Sequence, residues 1–279
     1  MGHTMVLGLS LSASVLMALG MIIGAPDPTA PRLPVGLDEP LYAAPTRLDR
    51  IGRILAPVMI NGQGPFRLTV DTGANQSVIT TPLAATLGLI ASGHVVKLNG
   101  VTGSLLVPTV RIERFETGDL VQSALLLPIL DSVMGEADGI LGMHGLEGKR
   151  ITVDFRRDRI AIAWSRNQKA ERRFFTVPAK LRFGHLLMVD GKVTGVKVRV
   201  VIDTGAERSL GNMALHDALF RRHRPKHRMA ATPVIGLTLA EQIGNPIQTR
   251  VIQLAGVMIR DVTVVYGDIE VFKLWDLEK

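Results

Sequence analysis

The chain has 279 residues, 47% hydrophobic and 20% charged, which is enough apolar material for two modest folded domains and too much for a disordered chain. It has no cysteine, which excludes disulfides, thiol catalysis and cysteine metal sites. Aromatics are 4%, which argues against nucleic-acid binding by base stacking, and the net charge of +7 is densest at Arg221-Arg222-His223-Arg224-Pro225-Lys226-His227-Arg228, read as a solvated helix end and loop rather than an anionic-surface contact.

In chain order, residues 1–25 come first. Met5 to Ala25 is uncharged and mostly apolar, and reads as a signal peptide or signal anchor, although Met1-Gly2-His3-Thr4 has no Lys or Arg. Pro26, Pro28, Pro31 and Pro34 follow at once and rule against a continuing core helix. This predicts export and leaves a membrane tether open. Residues 26–50 are Pro-rich without periodicity and read as a linker.

A first lobe is expected over residues 51–164. Asn61-Gly62 marks a turn, Phe66 to Val70 a strand, and Asp71-Thr72-Gly73-Ala74 the loop after it, with Ser77 six positions past the aspartate. Leu98-Asn99-Gly100-Val101-Thr102-Gly103 reads as a hairpin tip, and Leu105 to Ile112 and Ala124 to Leu127 as strands. Residues 165–173 are polar and read as a linker.

The second lobe, residues 174–279, repeats the pattern. Asp190-Gly191 is the expected turn, Lys197 to Ile202 the strand, Asp203-Thr204-Gly205-Ala206 the loop, and Ser209 again lies six positions past the aspartate. Met213 to Arg222 predicts a helix with Leu215 and Leu219 on one face, and Val234-Ile235-Gly236-Leu237-Thr238 a second hairpin tip.

One Asp-Thr-Gly arises by chance in roughly one chain in twenty of this length. Two copies, each extended to Ala and each behind a β-branched strand, point to a duplicated lobe. The residue types suit two carboxylates sharing one proton. Asp supplies the carboxylate, Thr a hydroxyl that can bind backbone groups of the opposite lobe, and Gly a tight turn and close approach. The ionised carboxylate takes a proton from water and the protonated one donates to the scissile carbonyl, with no metal or cofactor required. His94, His144, His185 and His216 lack metal-ligand spacing, and no Gly-x-Ser-x-Gly element is present.

These residues resemble the retropepsin-like aspartic proteases, in particular bacterial proteins with two such lobes in one chain. The first lobe carries the likeness furthest, through Asn61-Gly62-Gln63-Gly64-Pro65-Phe66, the Asp71 loop, Leu83 to Leu89, Ala137 to Met143 and Ile151 to Phe155. The resemblance implies a mostly β fold of two β-barrel lobes, and a polypeptide substrate. It makes Asp71 and Asp203 the catalytic pair, with Thr72, Gly73, Thr204 and Gly205 shaping their loops. It also implies that Ile140-Leu141-Gly142 supports the first loop from behind, and that Gly100, Val101, Thr102, Gly236, Leu237 and Thr238 form flaps. Pepsin-like enzymes fit less well, because the lobes are short and neither Tyr42 nor Tyr266 sits at a flap.

The second lobe departs from the pattern. Counting from the flap glycines, its partner for Ile140 should fall near Asp276, so it reads as incomplete at its C-terminal side. Truncation, completion by another chain and degeneracy all stay open. A catalytically inactive peptide- or partner-binding module is therefore the alternative to an endopeptidase, and a homodimer pairing two Asp71 loops is a third reading. The sequon Asn75-Gln76-Ser77 lies beside the Asp71 loop, where a glycan would block the cleft, so a bacterial periplasm or envelope is the expected compartment.

Overall fold

A computed structural model describes residues 4–8, 43–45, 47–48, 53–118, 120–133, 135–145, 149–154, 159–164, 177–183, 185–222 and 229–277. The basic run from 223 to 228, the linker 165–173 and residues 9–42 of the expected leader and Pro-rich segment lie outside the described residues. The fold is mostly β. Among the described residues, no helix is long and apolar enough to cross a membrane.

The elements up to the first lobe's end are β1 (Thr4–Gly8), β2 (Ala43–Pro45), β3 (Arg47–Leu48), β4 (Ile54–Ile60), β5 (Gln63–Val70), β6 (Val78–Thr80), α1 (Thr81–Thr86), β7 (Ala91–Asn99), β8 (Ser104–Thr117), β9 (Leu120–Leu130), β10 (Gly139–Leu141), β11 (Lys149–Asp154) and β12 (Arg159–Trp164). The rest are β13 (Ala179–Arg182), β14 (Leu186–Val193), β15 (Val196–Asp203), β16 (Ser209–Gly211), α2 (Met213–Arg222), β17 (Thr232–Ile235), β18 (Glu241–Leu254), β19 (Val257–Tyr266) and α3 (Glu270–Leu274).

Two eight-stranded sheets share one design. The first runs β3-β4-β5-β10-β6-β9-β8-β7 and the second β13-β14-β15-β1-β16-β19-β18-β17. An extra pairing folds each sheet back on itself, β4 with β8 in one and β14 with β18 in the other. Strands β11, β12 and β2 form a small third sheet, from which Ile162 reaches the first lobe's core.

Alternating apolar residues fill each lobe. Leu68, Ile79, Ile112, Phe115 and Leu141 are fully buried in the first, and Val193, Val200, Leu215, Ile252 and Tyr266 in the second. Each large aliphatic or aromatic side chain so buried contributes about 1.5–3 kcal/mol. Helix α2 covers the range expected for it, with Leu215 buried and Leu219 packed against the same core. Asn212 starts it by accepting from Leu215 N at 2.9 Å, and its own amide donates to Leu277 O at 2.9 Å.

The first expected turn is present: Asn61 and Gly62 both have positive φ, as a two-residue hairpin turn requires. The second is not where the Asp-Gly pair suggested. Asp190 and Gly191 lie inside β14, and the β14–β15 turn is Thr194-Gly195, at φ 47° and 81°. Gly191 instead admits β18, since a Cβ there would lie 2.7 Å from Leu254 Cδ2. Strand crossing, invisible to a local turn rule, decides that glycine's use.

The second lobe has no strand after β19 among the described residues; the chain turns into α3 instead. The slot corresponding to β10 is nevertheless filled. It holds β1, from the far end of the chain.

Candidate active site

Strand β5 delivers Asp71, and strand β15 ends in Asp203. The two loops face each other and are tied reciprocally. Thr72 Oγ1 donates to Ile202 O at 2.9 Å and accepts from Thr204 N at 3.1 Å. Thr204 Oγ1 donates to Val70 O at 2.7 Å and accepts from Thr72 N at 3.1 Å. Each hydroxyl thus satisfies one donor and one acceptor of the opposite lobe, which fixes the loops against rotation as well as separation.

Each carboxylate is also held by its own loop. Asp71 Oδ1 accepts from Gly73 N at 2.8 Å and Ala74 N at 3.1 Å, and Asp203 Oδ1 accepts from Gly205 N and Ala206 N at the same two distances. Glycine is required by the approach of the partner carboxylate. A Cβ on Gly73 would lie 2.7 Å from Asp203 Oδ2, and one on Gly205 would run into the Asp71 carboxylate.

Burial pushes both carboxyls above their ordinary range. Asp203 rises well above it, first through loss of water and then through the Asp71 charge beside it. At Asp71 burial again leads, opposed by the Gly73 and Ala74 amides, a hydrogen bond from Asp203 and the Arg53 charge. Two such groups in contact titrate as a unit and share the proton.

Ile140 and Leu141 lie in β10, directly behind the Asp71 loop, and Gly142 follows them. Leu141 O accepts from Asp71 N at 3.0 Å, and Ser77 Oγ accepts from Gly142 N at 3.1 Å. A Cβ on Gly142 would overlap the Gln76 backbone. Gly142→Ala is accordingly expected to destabilise the protein by about 1–3 kcal/mol, read as a lowered denaturation midpoint at unchanged slope.

The hairpin tips expected to form flaps line the same cleft as the aspartates. The β7–β8 tip spans Gly100 to Gly103, closed by Gly100 N donating to Gly103 O at 2.7 Å, and the β17–β18 tip begins at Gly236. The tips cross: Val101 packs on the second lobe's cluster around Val234, Val271 and Trp275, and Leu237 on the first lobe's cluster around Leu98, Val133 and Ile140. Gly236 N donates to the buried Thr102 Oγ1 at 3.1 Å, and Val271 N to Val101 O at 3.0 Å. Thr238 packs beside Gly100. Thr102→Val leaves Gly236 N without its acceptor, and a loss of about 1 kcal/mol should speed amide exchange at Gly236 roughly fivefold.

Between loops and flaps is a cleft of about 700 Å³. It contains residues outside every sequence motif. Arg53, only 4% exposed, lines it beside Asp71, as do Lys97, Phe183, Glu207 and Arg208. Helix α3 and the residue after it add Val271, Leu274 and Trp275. A five-residue helix has no periodic signature, and the one available cue was that Trp275 is one of only two tryptophans. Asn75, of the sequon, is exposed and lines the cleft as its position predicted.

Comparison with known proteins agrees in kind. Residues 56–144 match the family model described as Aspartyl protease. No curated protein matches the chain. Among solved structures, the chain is similar to a retropepsin-like aspartic protease from Rickettsia conorii, at 16% identity and a TM-score of 0.31, over 46% of this chain and 95% of that one. The matched segment contains the Asp71-Thr72-Gly73-Ala74 loop, and that loop meets its own repeat, Asp203-Thr204-Gly205-Ala206, across the lobes.

Proposed function

We propose that the protein is an aspartic endopeptidase whose catalytic pair is Asp71 and Asp203. The observation that carries this reading is the reciprocal Thr72–Thr204 tie, which keeps two carboxyls, Asp203 buried and Asp71 half-buried, face to face in one chain. An extended polypeptide lies in the cleft beneath the flaps, with alternate side chains in its two halves.

Both carboxylates accept two loop amides, and the Arg53 charge lies on the Asp71 side, so we assign the ionised role to Asp71 and the proton to Asp203. Asp71 removes a proton from water as the water oxygen bonds to the scissile carbonyl carbon. Asp203 gives its proton to the carbonyl oxygen. The gem-diol then collapses: the C–N bond breaks, Asp71 passes its proton to the leaving nitrogen, and Asp203 recovers one from a diol hydroxyl. Both groups return to their starting states.

The homodimer reading has less support, because the Asp203 loop of the same chain already occupies the face of the Asp71 loop. The test is cleavage of a mixed peptide library by the full chain from pH 3 to 7, with Asp71→Asn and Asp203→Asn in parallel. Loss in both variants is expected. Full activity in Asp203→Asn would overturn the assignment, and peptide binding without cleavage by the folded wild type would favour a binding module.

A further inference from the structure

Strand β10 sits between β5 and β6. It pairs parallel with β5, Ile140 opposite Thr69 and Leu141 opposite Val70, and antiparallel with β6, Ile140 opposite Val78. Strand β1 repeats this in the second lobe. It pairs parallel with β15, Val6 opposite Val201, Leu7 opposite Ile202 and Gly8 opposite Asp203, and antiparallel with β16, Val6 opposite Leu210. Thr69 and Val201 each lie two residues before their aspartate, and Val78 and Leu210 each seven after. Val6-Leu7-Gly8 therefore stands, residue for residue, where Ile140-Leu141-Gly142 stands in the first lobe. Met5, just ahead, is fully buried among Val189, Val198, Val200 and Leu215.

We propose that Val6-Leu7-Gly8 is the positioning element of Asp203, seated in a slot of the second lobe that accepts an apolar-apolar-Gly strand from outside the lobe's contiguous chain. The proposal rests on the proteolytic reading of the aspartate pair. The physical need is plain. Without an occupant, the facing edges of β15 and β16 carry unpaired amides and carbonyls inside the sheet, and the Asp203 loop has nothing behind it. The same residues open the apolar stretch expected as a leader. A leader removed or threaded into a bilayer cannot also occupy the slot, so the fate of this segment controls whether Asp203 is held.

Four full-length proteins test it: wild type, Leu7→Asp, Gly8→Ala and the conservative Val6→Ile. The readouts are amide exchange and the pH profile of peptide cleavage. Leu7→Asp should speed exchange at Val200–Ile202 and Ser209–Gly211 by about tenfold or more while Leu68–Val70 stay protected. It should also abolish cleavage. A peptide of residues 3–10 added in excess should restore both. Gly8→Ala, opposite Asp203, should shift the pH profile with folding retained, and Val6→Ile should match wild type. Unchanged exchange at β15 and β16 in Leu7→Asp, or full cleavage by it, overturns the proposal. If the wild type cleaves nothing, the proteolytic reading fails alone, because the exchange experiment still reports on the strand.

Discussion

Asp203→Asn should lower kcat by roughly 10²–10⁴-fold or more and at the same time make the protein more stable at neutral pH. The first effect follows from removing one of the two carboxyls that share the proton. The second follows from the direction of the pKa shifts. Both carboxyls sit above the ordinary value of 3.8, Asp203 well above it. Between 3.8 and the raised values the folded protein therefore holds more protons than the unfolded chain. The stability linked to that difference is fully present below 3.8 and is lost as pH rises through the folded-state values. An amide at position 203 has no charge to desolvate. The melting temperatures of wild type and Asp203→Asn should converge near pH 4 and separate toward pH 7, the variant higher by about 2–4 °C for each kcal/mol released. Parallel melting curves across that range would contradict a net cost of burying the Asp203 charge.

Gly205→Ala should be nearly as damaging to activity, for a geometric reason. The added Cβ falls on the Asp71 carboxylate, so either the loop or the carboxyl must move. Overpacking of this kind costs about 1–3 kcal/mol of stability. Displacing one carboxyl by about 1 Å costs roughly 10²-fold in rate. Thr204→Ser is the control, because it keeps the hydroxyl that bridges Val70 O and Thr72 N, and it should stay within about tenfold of wild type. Wild-type kcat/KM in Gly205→Ala would show that the aspartates do not meet as described.

The aspartate loops were legible because their requirements are local. A strand, a carboxylate, a hydroxyl and a glycine must occur in fixed order, and the order repeats. The flap tips were legible for the same reason: Gly100 and Gly236 lie in short turns between apolar runs. The Asp190-Gly191 turn was misassigned, because a glycine that frees a turn and one that admits a crossing strand look alike in sequence. Arg53 gave no warning and Trp275 only its rarity, since an arginine before one strand and a tryptophan after a short helix acquire meaning only when two lobes close over them.

The sequence by itself determined that the strand–Asp-Thr-Gly-Ala unit occurs twice and that each copy offers one aspartate. These facts reside in short patterns governed by strand alternation and turn chemistry. Only the tertiary structure decided that Thr72 and Thr204 bind each other's strands, that Val101 and Leu237 pack on opposite lobes, and that Val6-Leu7-Gly8 lies behind Asp203. Each is a pairing between segments far apart in the chain, and three apolar residues ending in glycine do not specify their partner until the vacant edges of β15 and β16 lie on either side of them.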